Sequence, residues 1–263
     1  MTDTILTIDN VSRVFPGMRG GEPVRALEPT SLTVAENDFI TILGPSGCGK
    51  STLLRIVAGL DRPSTGQVSL KGRAIKGPGA DRGMVFQSYT LFPWLTVADN
   101  IAYGLREKGV APAQRREIVA SYIEKVGLRG FENHYPKQLS GGMQQRTAIA
   151  RALANDPAIL LLDEPFGALD NQTRSLMQEL LLGIWERERK TVLFVTHDIE
   201  EAIFLASRVI VMTARPGRIK ADIPVDLPHP RHYTMKTSPA FSDLKAQLTE
   251  EIRVEAMRAS ETH

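Results

Sequence analysis

The alternation of strongly apolar strands with helices in the second half of the chain predicts an α/β protein. From residue 158 onward the order is AILLLD, TRSLMQELLLGIWERER, TVLFVT, IEEAIFLAS and RVIVM. Apolar strands separated by helices are typical of a parallel sheet that is covered on both faces. The earlier segments LTIDNVSRVF, TSLTV and QVSLKG instead alternate apolar and polar residues, as half-buried strands do. We therefore predict a parallel α/β core with an N-terminal antiparallel β part.

A helical piece interrupts this core. The segments VADNIAYGLREKG, PAQRREIVASYIEKVGL and GGMQQRTAIARALAND all have helical spacing of their apolar residues. The predicted domains are an α/β core at 1–87 and 156–220, an inserted α-helical subdomain at 88–155, and a C-terminal extension at 221–263.

The C-terminal extension differs in composition from the rest of the chain. The segment ADIPVDLPHPRHYTMKTSPA is rich in proline, so we expect it to be irregular. Phe241, Leu244, Leu248 and Ile252 then fall on one face of a helix. We favour a helix that packs on its own domain over a helix that binds a partner.

Composition excludes several classes of protein. The 263 residues carry a formal net charge of +2 with dispersed basic residues, which gives no case for nucleic acid binding. The one cysteine forms no internal disulfide and suits a reducing compartment. We expect no secretion signal, and no apolar stretch approaches the roughly 18–20 residues that cross a bilayer. If the protein works at a membrane, another chain must span it.

The segment GPSGCGKST matches the phosphate-binding pattern G-x-x-x-x-G-K-[ST], and it lies between a predicted strand and a predicted helix. In this motif backbone N–H groups surround phosphate oxygens, the lysine reaches the β- and γ-phosphates, and the hydroxyl after it binds Mg²⁺. The predicted ATP-binding residues are Gly44, Pro45, Ser46, Gly47, Cys48, Gly49, Lys50, Ser51 and Thr52. Cys48 is interpreted as a small residue that fits the loop, since no histidine lies near it in sequence.

Carboxylates end the strand of residues 159–162. Asp163 is predicted to orient Mg²⁺, and Glu164 is the predicted general base that holds the attacking water. The alternative for Glu164 is a side chain that simply faces solvent. Gln87 follows the strand-like GMVF and is predicted to touch Mg²⁺ or the water, and His197 ends TVLFVT and is a candidate contact to the γ-phosphate. A purely structural histidine is the alternative there.

A second candidate anion site occurs in LSGGM. Ser140, Gly141 and Gly142 precede an amphipathic helix, and helix N-termini bind anions. A plain helix cap at Ser140 explains the local pattern equally well.

Taken in order, GPSGCGKST, MVFQ, LSGGM, LLLDEP, GALD and VTHD resemble the ATPase subunit of an ABC transporter, over about residues 3–220. The resemblance implies that two copies pair head to tail, with ATP between the phosphate loop of one and the signature residues of the other, Ser140, Gly141, Gly142 and Met143. It also implies that Asp170 bridges the subunits and that Phe15 stacks on adenine, although Phe15 fits a core position too. Met143 replaces the usual glutamine, which should affect rate more than binding.

A finer resemblance concerns GPGADRGMVFQ, LFPWLTVADNI, DEPFGALD and ARPGRI, which are similar to ATPases of nitrate, taurine and alkanesulfonate importers. It implies that Phe92, Pro93 and Trp94 receive a membrane subunit, with local core as the alternative. It further implies a homodimer, two membrane-spanning permease subunits, indirect action with a periplasmic solute-binding protein, and a place on the cytoplasmic face of the inner membrane.

Three alternatives remain open at the level of sequence. A soluble ABC ATPase of DNA repair or translation would need a long coiled-coil insert or two cassettes in one chain, and a nucleotide sensor would fit better without Glu164 or His197. The third alternative is an exporter ATPase, and only the resemblance favours an importer over it. The solute is undetermined among nitrate, taurine, other sulfonates and pyrimidine-like compounds.

Overall fold

A computed structural model describes residues 3–17, 21–88 and 90–261. The strands are β1 (Thr4–Phe15), β2 (Val24–Ala35), β3 (Phe39–Leu43), β4 (Thr65–Leu70), β5 (Arg73–Ala74), β6 (Arg82–Val85), β7 (Ile159–Asp163), β8 (Thr191–Thr196), β9 (Arg208–Met212) and β10 (Ile219–Pro224). The helices are α1 (Lys50–Ala58), α2 (Val97–Glu107), α3 (Pro112–Lys125), α4 (Gly141–Ala154), α5 (Asn171–Glu188), α6 (Ile199–Leu205) and α7 (Pro239–Glu261). The outermost residues of the predicted domains, 1, 2, 262 and 263, lie outside the described residues.

The chain divides into two compact units. The first contains residues 1–79 and 190–263, and the second contains residues 80–189. The predicted helical subdomain at 88–155 falls within the second unit, and its boundaries remain a prediction. In the described ranges, no helix has both the length and the apolar character needed to cross a membrane.

The first unit contains an antiparallel sheet with the order β2-β1-β4-β5. Leu6, Ile8 and Val11 of β1 are buried, whereas polar residues between them are more exposed. This alternation is typical of a sheet with one face on the core, and the prediction of an N-terminal antiparallel part is confirmed.

The same unit contains the parallel strands that carry the phosphate loop. Strand β3 lies between β8 and β9 and runs parallel to both. Every residue of β3 and β8 is buried. Helix α6 packs on β3 and β8, and α1 packs on β8, which explains why these strands are apolar without alternation.

The prediction that residues 221–240 are irregular is wrong for the first part of that segment. Residues of β10 pair antiparallel with β9, and Asp222 accepts a hydrogen bond from the Arg208 Nε at 3.1 Å. Proline suggested a loop, but Pro224 is the last residue of an edge strand, where a missing N–H removes no required ladder bond.

Helix α7 packs on α6 and β9. Phe241 and Leu248 are fully buried, and Leu244 and Ile252 are half-buried. The apolar face predicted for this helix therefore contacts its own unit, as we favoured from the sequence.

The second unit combines the parallel pair β6 and β7 with four helices. Helix α2 packs on α3 and α4, and α4 also packs on β6 and α5. Thr96 caps α2 by accepting a hydrogen bond from the Asp99 N–H at 3.1 Å, and α3 begins with Pro112. Both are favourable helix starts.

Candidate functional site

The phosphate loop connects β3 to α1 in the first unit. Gly47 and Gly49 have φ angles of 73° and 103°, a region that side chains rarely adopt. A Cβ on Gly49 would lie 2.6 Å from Leu27 Cδ2 and 2.9 Å from the Ala26 carbonyl oxygen. The glycine is therefore required both by the backbone turn and by the close approach of β2.

Lys50 is enclosed by the loop that precedes it. Its side chain is only 4% exposed, and its Nζ donates hydrogen bonds to the Gly44 carbonyl at 2.8 Å and the Pro45 carbonyl at 3.0 Å. These carbonyls hold the ammonium group at the start of α1, where the helix dipole also favours anions. Ser51 and Thr52 follow in the first turn of the same helix.

Cys48 is buried within the loop. Burial raises the pKa of its thiol above the ordinary value, against an opposing effect of Lys50. A thiol that stays protonated is a poor nucleophile. Cys48 therefore has the environment of a packing residue, as its sequence context indicated.

His197 is exposed just past the end of β8. The register of the parallel strands pairs Leu43 with Thr196, so Gly44 and His197 leave neighbouring strands at the same edge. Carboxyl ends of parallel strands are the usual position of ligand sites in α/β sheets. The structure thus brings His197 to the edge from which the phosphate loop starts.

The turn after His197 is fixed by a small network. Asp198 caps helix α6 by accepting a hydrogen bond from the Glu201 N–H at 3.0 Å. The Thr196 hydroxyl accepts from the Asp198 N–H at 3.0 Å and donates to Glu201 Oε2 at 2.5 Å. Thr196 therefore connects the backbone of the N-cap residue Asp198 to the side chain of Glu201, a role that the sequence pattern does not reveal.

Phe15 is the last residue of β1 and is half-exposed. The Arg13 guanidinium lies 4.5 Å from the centre of its ring. The ring is thus less buried than the core residues of the same strand, such as Leu6 and Ile8, and the role of Phe15 stays a prediction.

In the second unit, the predicted catalytic carboxylates follow strand β7. Asp163 is the buried final residue of this strand, only 5% exposed, and Glu164 comes next with φ of 43°. A non-glycine residue in this left-handed region is uncommon and often occurs at functional sites. The sequence indicated the carboxylates but not this backbone conformation.

Gln87 and Glu164 approach each other around one glycine. The register pairs Val85 with Leu162, so Gln87 and Glu164 each lie two positions after this pair, at the same edge of the two parallel strands. A Cβ on Gly167 would lie 3.9 Å from Gln87 Nε2 and 3.9 Å from Glu164 Oε2. The amide and the carboxylate therefore face a common space, which an alanine at position 167 would narrow.

The signature segment forms a helix start. Ser140 caps α4, with its Oγ accepting a hydrogen bond from the Met143 N–H at 3.4 Å. Because this hydrogen bond involves only the backbone of Met143, a methionine in place of the usual glutamine does not disturb it. Gln144, which sequence inspection did not single out, donates to the carbonyls of Pro136 at 3.1 Å and Leu139 at 3.2 Å.

Asp170 caps helix α5 close to the signature segment. Its carboxylate accepts hydrogen bonds from the N–H groups of Gln172 at 3.1 Å and Thr173 at 3.0 Å. Hydrogen bonds from Thr173 hold the pKa of this carboxyl below its usual value. A Cβ on Gly142 would lie 2.7 Å from Thr173 Cγ2, so the signature helix and the Asp170 cap are neighbours.

An aromatic cluster lies beside α2. Trp94 is 70% exposed, and the Phe92 ring lies 5.7 Å from the Trp94 ring and 4.5 Å from the Tyr103 ring. Pro93 between them is exposed. Trp94 is therefore not part of a local core, while Phe92 is half-buried against Tyr103.

Buried Asn100 fixes the backbone under this cluster. Its Oδ1 accepts from the Phe92 N–H at 2.9 Å, and its Nδ2 contacts the carbonyls of Phe92 at 3.2 Å, Leu95 at 3.0 Å and Thr96 at 2.9 Å. Its position within the polar pattern of α2 carried no distinguishing signal in the sequence.

Comparison with known proteins gives a consistent assignment. Residues 27–167 match the family model described as ABC transporter. The chain is 46% identical, over 94% of its length and 95% of the relative, to a nitrate import ATP-binding protein of Synechocystis. It is 51% identical, over 89% of each chain, to an aliphatic sulfonates import ATP-binding protein of Bacillus licheniformis.

Solved structures agree with these relatives. One, titled as the dimeric structure of a post-hydrolysis state of an ATP-binding cassette bound to ADP and Pi, superposes with a TM-score of 0.74. It is 35% identical and covers 85% of this chain and 100% of its own. The predicted α/β ATPase fold is therefore confirmed, and the chain belongs to the ABC transporter family as an ATP-binding, ATP-hydrolysing subunit.

Proposed function

We propose that this chain energises uptake of a small anionic or polar solute, of the nitrate, sulfonate or taurine type, through partner membrane subunits. The observation that carries the proposal is the similarity along most of the chain to two importer subunits whose names give nitrate and aliphatic sulfonates. Both are small oxyanions. No feature described above favours DNA repair, translation or nucleotide sensing instead.

Residues of the first unit are proposed to hold the nucleotide. The loop amides and Lys50 contact the phosphates, and Ser51 provides a hydroxyl to a metal. His197 contacts the γ-phosphate, which its position at the edge shared with Gly44 supports. Phe15 stacks on adenine, for which its half-exposed ring at a strand end is suitable.

Residues of the second unit are proposed to perform the chemistry. Glu164 accepts a proton from the attacking water or orients it, and Gln87 shares the space around Gly167 with it. Asp163, Gln87 and Ser51 present carboxylate, amide and hydroxyl oxygens, a donor set that suits Mg²⁺ bound together with substrate phosphates. Mg²⁺ in such a site would neutralise phosphate charge during transfer.

A second copy of the chain is proposed to complete each site. Ser140 and the first amides of α4 form a helix N-terminus suited to phosphate oxygens, and Asp170 lies next to it. The dimeric solved structure supports this arrangement. The permease subunits are proposed to dock on Phe92, Pro93 and Trp94 at the cytoplasmic face of the inner membrane, and a periplasmic binding protein would deliver the solute to them.

Solute uptake tests the proposal directly. Cells lacking this chain should lose uptake of labelled nitrate or a labelled sulfonate, and the wild-type chain should restore it while a Glu164→Gln variant should not. In gently solubilised membranes, the tagged chain should recover a polytopic membrane protein in about equal amount. Unchanged uptake of every candidate solute, with recovery only in the soluble fraction, would refute the importer assignment.

A further inference from the structure

The segment that follows β9 contacts the phosphate loop directly. Arg215 is exposed, and its Nε donates a hydrogen bond to the Gly47 carbonyl at 3.2 Å. A Cβ on Gly217 would lie 1.8 Å from the Cys48 carbonyl oxygen, so the backbone of this segment is in close contact with the backbone of the loop. The Gly217 N–H also donates to the Ala26 carbonyl at 3.0 Å, which links it to β2.

The contact from Arg215 acts on a peptide unit that the nucleotide uses. The Gly47 carbonyl and the Cys48 N–H belong to the same peptide group, and that N–H is one of the loop donors. A cationic donor on the carbonyl polarises the peptide and strengthens the N–H as a donor. In this structure the Cys48 N–H makes only a long 3.4 Å bond to the Pro45 carbonyl, which a phosphate oxygen can replace at little cost.

The segment carrying Arg215 is itself fixed from helix α7. Glu255 is 1% exposed, and its Oε2 accepts a hydrogen bond from the Ala214 N–H at 3.0 Å. The same carboxylate pairs with Lys220 at 3.1 Å and Arg258 at 3.1 Å. A buried anion therefore holds the residue immediately before Arg215.

We propose that Arg215 is a positioning residue of the phosphate loop, and that Glu255 of α7 acts through it by fixing the 213–220 segment. The proposal rests on nucleotide binding by the loop at residues 44–52. It gives the C-terminal extension a role in setting nucleotide affinity.

Arg215→Met removes the guanidinium and keeps an apolar side chain of similar length. Since a hydrogen bond from a charged donor is at stake, we expect ADP and ATP to bind about three- to tenfold more weakly by calorimetric titration. The KM for ATP should rise by a similar factor, with kcat at saturating ATP within about twofold of wild type. Arg215→Lys, which keeps a cation, should recover part of the affinity.

Arg218→Met is the matched control. Arg218 lies in the same segment with an exposed side chain, and its hydrogen bonds with Thr213 use its backbone. It should bind ADP as wild type does. Equal weakening of ADP binding by both variants, or an unchanged ADP affinity in Arg215→Met, would overturn the positioning role of Arg215. In either case, ADP binding by the wild-type chain would leave the proposed function standing. A wild-type chain that binds neither ADP nor ATP would overturn both.

A double-mutant cycle tests the role of α7. Glu255→Ala should weaken ADP binding about two- to fivefold, and the pair Glu255→Ala with Arg215→Met should be no weaker than Arg215→Met alone. Glu250→Ala, an exposed position on the same helix, is the control, and Glu255→Gln replaces the alanine variant if that variant does not fold. Additive losses would mean that Glu255 does not act through Arg215.

Discussion

Glu164 combines a proposed chemical role with an unfavourable backbone. Its φ of 43° lies in the left-handed region, where a side chain costs roughly 1–3 kcal/mol unless the surroundings hold it. Strand β7 on one side and the turn closed by the Gly167 N–H on the Glu164 carbonyl at 3.2 Å fix this conformation. With this backbone conformation, Glu164 Oε2 lies beside Gly167, in the space that Gln87 shares.

Replacing this carboxylate by an amide should separate binding from chemistry. We expect Glu164→Gln to lower ATP turnover by ~10²–10⁴ while nucleotide affinity stays near wild type, because glutamine has similar volume but accepts no proton. Phosphate release measures turnover. Glu117→Gln, on an exposed position of α3, should leave turnover unchanged. Near-normal turnover in Glu164→Gln would remove it as the base.

Glu255 predicts how stability responds to acid. Burial alone would raise the pKa of this carboxyl, but the Ala214 N–H, Lys220 and Arg258 together hold it below the ordinary value of 4.5. A carboxyl with a depressed folded-state pKa adds stability above its unfolded-state pKa and loses it as the pH falls through the folded-state value.

The free energy of unfolding should therefore decline as the pH is lowered below about 5, and Glu255→Gln should flatten this decline. Denaturant unfolding at several pH values measures it. Glu250→Gln is an unsuitable control because the pKa of Glu250 is also lowered, by Arg253; Glu117→Gln serves instead. Parallel curves for wild type and Glu255→Gln would contradict the assignment.

At the level of single elements, Asn100 determines the loop that carries the aromatic cluster. Its side chain bonds the Phe92 N–H and the carbonyls of Phe92, Leu95 and Thr96, and so joins the backbone of residues 92–96 to α2. Asn100→Ala should cost about 1–3 kcal/mol, because it leaves buried polar groups without partners.

Hydrogen exchange tests the same variant locally. The Phe92 amide should exchange faster in Asn100→Ala, while amides in the centre of α4 should keep their protection. Asn133→Ala, at an exposed position of the same unit, should change neither stability nor exchange. Unchanged protection at Phe92 would show that other contacts hold the loop.

Arg231 stabilises the end of another element, helix α6. It is buried, and its Nη1 contacts the carbonyls of Ile203, Phe204 and Ala206 at 3.1, 3.0 and 2.8 Å. Its Nη2 reaches the Val225 and Leu227 carbonyls at 3.5 and 3.3 Å. A cation at a helix C-terminus that also satisfies its last carbonyls is favourable.

Arg231→Met should lower the free energy of unfolding by about 2–4 kcal/mol, because several carbonyls of a buried site lose a charged donor. Chemical denaturation measures the change. Arg253→Met, which removes an exposed arginine of α7 that pairs with Glu250, should cost far less. Equal losses in the two variants would argue against a special role for Arg231.

Elements were predictable where the local pattern agreed with the packing. Ser140 caps helix α4 as the pattern indicated, although α4 already begins at Gly141, so the two glycines lie in its first turn rather than before it. Strands β3, β7 and β8 coincide with the apolar runs of the sequence. Strand β10 was not predicted because Pro224 and the prolines that follow it suggested a loop, whereas pairing with β9 decides its conformation. Arg231 was missed because an arginine in a proline-rich segment looks like a solvated charge, and only the fold brings carbonyls to it.

For the whole molecule, short motifs predicted the fold and the candidate site because each one couples a turn to a reactive side chain. The phosphate loop, Asp163 and Glu164 are contiguous with their strands, so their surroundings follow from sequence order. Arg215 and Glu255 each contact residues that are distant from them in sequence, and no local pattern predicts such contacts. For the same reason, the local sequence pattern of one chain does not reveal how two copies pair or how the chain binds membrane subunits.

Trp94 provides a test of membrane association. If the permease docks on Trp94 as proposed, loss of this hot-spot ring should cost about 2 kcal/mol or more, so Trp94→Ala should reduce recovery on permease-containing membranes by about tenfold or more. ATP hydrolysis by the detached chain should stay unchanged. Tyr233→Ala, which removes a 57% exposed ring of the first unit, should bind membranes normally. Full recovery of Trp94→Ala would exclude this cluster as the docking surface.

Buried Cys48 can serve as a chemical probe of the phosphate loop. Because it is the single cysteine of the sequence and lies inside the phosphate loop, a thiol-specific alkylating reagent that modifies the native chain reports an opening that exposes that loop. When the loop recloses faster than the reagent reacts, the alkylation half-time measures the population of the open form, without an introduced label. A nucleotide that orders the loop lengthens this half-time, and a variant that loosens the loop shortens it.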